Sequence, residues 1–425
     1  MMSGLRESYC IDRFYHTPAG RHSRGWSHRR SAFRYTALSP FFAIPCRSFA
    51  HHARRSEAIQ TLAEFVRRAA RKEGFDLCGI APTAPLAELE HFPAWIAAQR
   101  HGEMEYLAAR NEQGELKRAA VANAAPWARS AVVCAVSYQS AQPLSTECDD
   151  PNRGWISRYA FLEGDYHDLL LPRLRSLESR LLAEAAARNL PAPRTWCYVD
   201  TGPVVERVLA AHSGIGWTGK NTLILNQQLG SFLFLGVMLT SLELPADAPS
   251  EDRCGSCTLC LDACPTQALT AARQMDATRC ISYLTIEQHS PVAEELRPAM
   301  GRHLFGCDIC QDVCPWNRRA PFSTDPALRP RTELVNPRLD WISCMNEEEF
   351  RRTFRNTPVK RAKLRGILRA AALAMGNSGD RAHLPRLREL ARHSDPAVAE
   401  HARWAIARLE SHDLGTKDDD GTHLP

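Results

Sequence analysis

The chain has 425 residues, 44% hydrophobic and 24% charged, with a formal net charge of +5. That length exceeds one ordinary core and predicts two or three domains, while no apolar run approaches the roughly 18 residues of a membrane-spanning helix. Fifteen cysteines would suit a disulfide framework only in small domains that use Cys evenly; with no apolar secretory core and no clear twin-arginine signal at the start, a cytoplasmic protein is expected.

Residues 1–54 are rich in Arg, Ser and aromatics, have only Glu7 and Asp12 as acids, and lack periodicity. They read as a disordered or mis-annotated extension: an over-long gene model, a disordered arm or a targeting segment. From Glu57 the pattern changes. Ile59, Leu62, Phe65, Val66 and Ala69 fall at helical spacing, and Gly74 ends that helix before a strand over Phe75–Ile80. A second buried strand is predicted at Ala131–Val136, a long helix at His167–Arg188, a third strand at Trp196–Asp200 and a fourth at Ser231–Thr240. Strands alternating with helices predict an α/β domain over residues 55–245, closed by the Pro-rich stretch Pro245–Pro249.

A cysteine-rich segment occupies residues 246–322, followed by a linker punctuated by Pro321, Pro326, Pro330 and Pro337. Two helical stretches, Lys360–Met375 and Pro385–Leu409, flank the turn Gly376–Asp380 and suggest a HEAT-like helical domain over residues 323–414. Residues 415–425 read as a disordered acidic tail. From Arg351 to Arg369 the chain has eight Lys or Arg and no acid, a pattern that suits phosphate contact better than the mixed charge of an ordinary surface helix.

Eight of the fifteen cysteines lie between Cys254 and Cys314. The run Cys254-x2-Cys257-x2-Cys260-x3-Cys264-Pro265 matches the bacterial ferredoxin pattern, whose fourth cysteine ligates the other cluster of a pair. Cys307-x2-Cys310-x3-Cys314-Pro315 is its reciprocal run and lacks only the first cysteine. Cys280, the sole cysteine between the runs, can supply it. The expected ligand sets are Cys254, Cys257, Cys260 and Cys314 for one 4Fe-4S cluster, and Cys264, Cys280, Cys307 and Cys310 for the other. Structural zinc also uses Cys-x2-Cys pairs, but a proline-flanked four-cysteine run is iron–sulfur grammar. Cys78, Cys134 and Cys197 read as small buried apolar residues.

Three further stretches carry a resemblance: Ile156-Ser157-Arg158-Tyr159-Ala160 with Gly164-Asp165-Tyr166-His167; Tyr198 to Arg207 with Gly214 to Thr222; and His303 to Asn317. From about Glu57 to Leu409 the chain resembles the epoxyqueuosine reductases. The resemblance implies reduction of epoxyqueuosine to queuosine at the wobble position of tRNA, the last step of that modification, with cobalamin and two 4Fe-4S clusters as cofactors. It implies Asp200 as proton donor, although Asp before a Thr-Gly-Pro turn can also simply accept backbone hydrogen bonds. Arg158, Tyr159, Lys220, Asn221 and Ser231 are the implied cobalamin contacts.

Asp165-x-His167-x-x-Leu170 opens like a cobalt-ligating motif, but Leu170 stands where that motif needs glycine, so His ligation is not expected. The glycines at 214, 216 and 219 suit a tight turn shaping a corrin pocket rather than a nucleotide fingerprint. Val237 departs from the family, which has an acid after the glycine. On the RNA side Lys360, Arg361, Lys363 and Arg365 are expected to grip the tRNA, and Trp316 and Trp341 could stack on bases. A monomer served by an unidentified electron donor is expected. The rival readings are a corrinoid reductive dehalogenase, which leaves the basic helical part without a purpose, and a ferredoxin-like carrier, which needs no Asp200 region.

Overall fold

The computed structural model describes residues 61–411; the extension over 1–54 and the tail over 415–425 lie outside them. The first helix, α1, covers residues 61–72 and buries Leu62, Val66, Ala69 and Ala70, one stripe at helical spacing. Gly74, at φ +82°, ends it. The Phe75 N–H donates to the Ala70 carbonyl and the Gly74 N–H to Arg71, both at 3.1 Å, a Schellman motif that glycine accommodates without strain.

Four strands follow where the hydrophobic runs predict them: β1 (Leu77–Pro82), β2 (Ser130–Ser137), β3 (Thr195–Tyr198) and β4 (Leu233–Thr240). They form one sheet in the order β1-β2-β4-β3, and every neighbouring pair is antiparallel. Strands and helices alternate along the chain as expected, but the alternation does not build a parallel sheet. The long helix α2 (Tyr166–Ala187) carries the chain from β2 to β3, which run the same way, and β4 is inserted between them. Each parallel neighbour is thereby split by an antiparallel strand.

Side chains of a strand alternate between faces, and the two faces have separate tasks. Val132, Cys134, Val136, Cys197, Phe234 and Met238 pack with α1 and with Leu170, Leu174, Leu177 and Leu181 of α2. Ala131, Val133, Ala135, Tyr198, Val237 and Leu239 pack under α3 (Glu206–His212) through Leu209 and Ala210. Val237 is fully buried on that apolar face, where an acid would need a partner. Gly236 faces α2; a Cβ there would come within 2.7 Å of Leu174.

Beyond β4, Asp247 ties the Pro-rich stretch back to the first layer by accepting from Arg67 at 2.7 Å and from the Ile80 N–H at 2.8 Å. Two short helices, α4 (Leu259–Asp262) and α6 (Ile309–Asp312), sit in the cysteine runs, with α5 (Ile281–Ile286) between them. His303–Phe305 pairs in parallel with Trp155–Ile156, so this segment is stitched into the first.

The described residues of the C-terminal part end in three helices, α7 (Lys363–Ser378), α8 (Leu384–Leu390) and α9 (Pro396–Ser411). The single stretch expected over Pro385–Leu409 is therefore two helices. Pro396 disfavours helical geometry at Asp395, and the Asp395 carboxylate accepts the Ala397 and Val398 N–H groups at 3.0 and 3.2 Å, starting α9 afresh. One buried apolar cluster runs from Leu62 through Phe305 and Leu339 to Leu409. Among the described residues no helix is long and apolar enough to cross a membrane.

Candidate functional site

Strand β3 stops at Tyr198, two residues short of the expected end, because the chain turns sharply at Asp200. The Thr201 N–H donates to the Val199 carbonyl at 2.6 Å, and Asp200 between them has φ +57°. A three-residue turn of this hand is rare and strained for a residue with a Cβ. Two side chains fix it. The Tyr166 hydroxyl, from the first turn of α2, donates to Asp200 Oδ2 at 3.0 Å, and the Asp200 N–H donates to Glu206 Oε1 at 2.7 Å. The Asp200 carboxylate remains exposed. Burial, reinforced by the Asp200 charge, pushes the Glu206 carboxyl up to about 8, so Glu206 holds a proton at neutral pH.

Behind this turn stands a wall of aromatic rings. Tyr166 stacks on Phe234 with centroids 4.4 Å apart, Phe234 stacks on Tyr138 at 4.2 Å, and Tyr159 meets Tyr166 edge-on at 6.1 Å. Burial raises the phenols of Tyr138, Tyr159 and Tyr166, which keeps all three protonated. At the far end of the wall Asp308 is held by the Ser157 hydroxyl at 2.5 Å and the Arg158 N–H at 2.6 Å. The Asp308 charge acts on Tyr138, and Asp308 lies between Cys307 and Cys310 in the chain. The wall thus runs from the exposed aspartate to the second cysteine set.

Of the five residues expected to touch cobalamin, Arg158 is 3% exposed. Its Nη1 donates to the Ser140 carbonyl and hydroxyl at 2.9 and 2.6 Å, and its guanidinium lies 5.1 Å over Phe232. Lys220 Nζ donates to the Gly255 and Cys257 carbonyls at 2.6 and 2.9 Å, and Asn221 Nδ2 to the Cys310 carbonyl at 3.3 Å. The Ser231 hydroxyl donates to Gln311 Oε1 at 3.0 Å. Lys220, Asn221 and Ser231 therefore brace the cysteine loops, and Tyr159 belongs to the wall. Gly216 and Gly219 are required by Leu225, whose carbonyl and side chain lie 2.2 Å from where their Cβ atoms would be.

The eight cysteines fall into two neighbourhoods. Burial pushes up the thiols of Cys260 and Cys314, and the nearby thiols that add to the shift are Cys254 and Cys257 in both cases. Burial likewise raises Cys280, Cys307 and Cys310; Cys264 adds to the shift at Cys280, Cys280 to that at Cys307, and Cys280 and Cys264 to that at Cys310. Across the sets, Cys260 also adds to the shift at Cys310. Nitrogen donors already point at the sulfurs: Trp217 Nε1 lies 3.4 Å from Cys254 Sγ and the Ala268 N–H 3.3 Å from Cys264 Sγ. Among the described residues no three His, Cys, Asp or Glu side chains close on a single ion.

The basic stretch is less free of acids in space than in sequence. Lys360 Nζ lies 3.1 Å from Asp165, Arg361 2.8 Å from Glu287 and Arg365 3.9 Å from Asp395. Although burial opposes it, hydrogen bonds from His167 and Lys360 hold the Asp165 carboxyl down at about 2. Arg369 leaves the patch altogether: it is 4% exposed and donates to the Ser290 and Leu284 carbonyls at 2.8 Å. Trp316 packs edge-on against Trp217 at 5.1 Å, and Trp341 packs against the main core. Residue-type patterns assign no role to Tyr166 or Glu206, since only the fold brings them to Asp200.

Two family models match this chain: a 4Fe-4S double cluster binding domain over residues 253–317 and the domain described as epoxyqueuosine reductase QueG, DUF1730 over residues 118–201. The chain is 38% identical to the epoxyqueuosine reductase of Pseudomonas aeruginosa, over 82% of this chain and 94% of the relative. It is 37% identical to that of Escherichia coli K12, over 82% and 90%. A crystal structure of epoxyqueuosine reductase with an epoxyqueuosine-modified tRNA-Tyr stem loop superposes with a TM-score of 0.72 at 31% identity, covering 85% of this chain and 96% of that one. A Bacillus subtilis epoxyqueuosine reductase whose catalytic aspartate loop is swung out of the active site matches at 0.71 and 31%, with the same coverage.

Proposed function

This chain belongs to the epoxyqueuosine reductase family, and on that premise we propose that the Asp200 turn is its active site and that its substrate is epoxyqueuosine at the wobble position of a tRNA. The enzyme reduces it to queuosine. Opening the epoxide to the alkene consumes two electrons and two protons and releases the oxygen as water. The exposed Asp200 carboxyl, in a strained turn between Tyr166 and Glu206, is the observation that carries this reading. It is placed to pass a proton to the departing oxygen as a general acid, and Glu206 holds a proton beside it.

Two 4Fe-4S clusters, from the double-cluster segment over residues 253–317, supply electrons one at a time. The two cysteine neighbourhoods support Cys254, Cys257, Cys260 and Cys314 for one cluster and Cys264, Cys280, Cys307 and Cys310 for the other. The family also implies cobalamin, and the residues present fit a broad flat ring. Tyr159, Tyr166, Phe234 and Tyr138 form a continuous aromatic wall, and buried Arg158 Nε and Gln139 Oε1 have no hydrogen-bond partner. When bound, the corrin supplies a metal that collects single electrons and delivers them as a pair. Arg158 and Tyr159 would hold it from the wall, with Lys220, Asn221 and Ser231 acting through the loops they brace.

On the RNA side, Lys360, Arg361, Lys363 and Arg365 would exchange their carboxylate partners for phosphates. The helices α7 to α9 are read as a HEAT-like unit over residues 323–414, packed on the α/β part (55–245) and the cluster part (246–322). A cytoplasmic monomer with a separate electron donor completes the reading. The test is anaerobic reduction of epoxyqueuosine-containing tRNA by the cobalamin-loaded protein, with nucleosides read by mass spectrometry. Cobalamin-dependent loss of one oxygen mass is expected; intact substrate after full reduction of clusters and corrin would remove the assignment.

A further inference from the structure

Beside the Asp200 turn is an exposed aromatic ring that the chemistry above does not use. Tyr106 lies in a short helical turn (Glu105–Ala108) and is 45% exposed, one of four large apolar side chains left open among the described residues. Two guanidinium groups flank it, Arg118 at 5.7 Å and Arg361 at 5.6 Å from the ring centre. A close cation–ring contact in the same protein, Arg194 over Trp127, measures 4.4 Å, so both arginines stand farther from the Tyr106 ring, which remains 45% exposed.

The cluster is anchored to the active site by Arg118. Its Nη1 donates to the Tyr106 carbonyl at 2.8 Å and its Nη2 to the Gly202 carbonyl at 3.0 Å, which joins the Tyr106 turn to the chain two residues after Asp200. Arg361 approaches from the C-terminal part and is steadied by Glu287 at 2.8 Å. Burial, then the charges of Glu287 and Asp200, act on the Tyr106 phenol, as expected for a ring at the rim of the Asp200 mouth. An open π-face between two planar cations suits an unpaired nucleobase with its phosphates, because bases stack on tyrosine and guanidinium planes while the charges meet the backbone.

We propose that Tyr106, flanked by Arg118 and Arg361, is a stacking platform for the anticodon-loop base next to the modified nucleoside, holding the loop so that the wobble base enters the Asp200 mouth. This rests on the RNA substrate proposed above. Neighbouring-base stacking would explain how a site built for a small modified group acts on it within a loop: the loop is gripped on one side of the reacting base.

The experiment uses the full, cluster-loaded chain and an anticodon stem-loop RNA bearing epoxyqueuosine, alongside the same RNA made abasic at each neighbour of the wobble position. Tyr106→Ala weakens binding of the intact loop by about 5- to 160-fold, the worth of one stacked base, with cluster absorbance unchanged, and Tyr106→Phe restores most of it. On the RNA lacking the stacked base, wild type and Tyr106→Ala bind alike. Equal binding of the intact loop by wild type and Tyr106→Ala overturns the proposal. So does an equal loss on every RNA, which would make Tyr106 a mere prop for the two arginines, and so does a preference of the patch for a protein ligand over RNA. Failure of the wild type to reduce a loop that it binds would instead remove the proposed reaction.

Discussion

Replacing Asp200 separates its proposed role as proton donor from its place as a residue held at φ +57°. A Cβ in this region costs about 1 to 2 kcal/mol, partly offset in the comparison with glycine by glycine's larger chain entropy, about 0.5 to 1 kcal/mol. Asp200→Ala and Asp200→Gly lose the same carboxylate and the same Tyr166 contact. Their difference therefore isolates the backbone, and Asp200→Gly is expected to be more stable than Asp200→Ala by about 1 kcal/mol, an apparent Tm difference of about 1 to 2 °C for a chain of this size. Both variants lose turnover by about 10²- to 10⁴-fold, the usual worth of a general acid, with both clusters retained. The assay pairs anaerobic thermal unfolding with single-turnover reduction of epoxyqueuosine tRNA. An alanine variant as stable as the glycine variant would falsify the strained turn, and turnover within tenfold of wild type in either would end the case for Asp200 as donor.

Glu206→Gln keeps an acceptor for the Asp200 N–H but removes the ionisation. Since the folded carboxyl titrates at about 8 against an ordinary 4.5, the unfolded chain sheds the proton first and wild-type stability falls as pH rises between those values. The Gln variant should gain on wild type across that window in melting experiments; parallel curves would show that Glu206 ionises normally. Cys280→Ser should halve bound iron and spare the cluster of Cys254, Cys257, Cys260 and Cys314, read by iron content and electron paramagnetic resonance, whereas full retention would place the fourth ligand elsewhere. Lys363→Gln with Arg365→Gln should weaken RNA binding and flatten its log–log salt slope by about 1.4, at roughly 0.7 per phosphate contact on single strands; an unchanged slope would take these residues off the phosphates.

Much of this architecture was legible because its signals are local. The apolar runs locate the four strands of the main sheet, Gly74 marks the end of α1, and the cysteine spacing proposes how eight thiols divide between two clusters. Asp395-Pro396 also carried the signal that splits the last helical stretch, but the apolar period across it is stronger and hides the break. Strand direction was not legible, since β4 reaches its place between β2 and β3 from far along the chain. The same holds for charge. Asp165, Glu287 and Asp395 come from three distant segments to meet Lys360, Arg361 and Arg365, and no local window contains them. Asp200 is singled out only by the family resemblance, whereas its neighbours Tyr166 from α2 and Glu206 from α3 are visible only in the turn itself.

The apolar cluster running unbroken from Leu62 to Leu409 bears on how such a protein can change over time. Folds whose parts each own a core can lose, gain or exchange them in single steps, because a cut exposes only a thin seam. Here Phe305 of the cluster part and Leu339 and Ile367 of the C-terminal part share their packing with the sheet layer, so removing the helices would strip the floor from the electron-carrying segment. A new C-terminal part could not be grafted on without recutting the buried surface beneath it. The proposed RNA contacts at Tyr106, Lys363 and Arg365 are exposed and can vary singly, while the interior has to evolve as one piece.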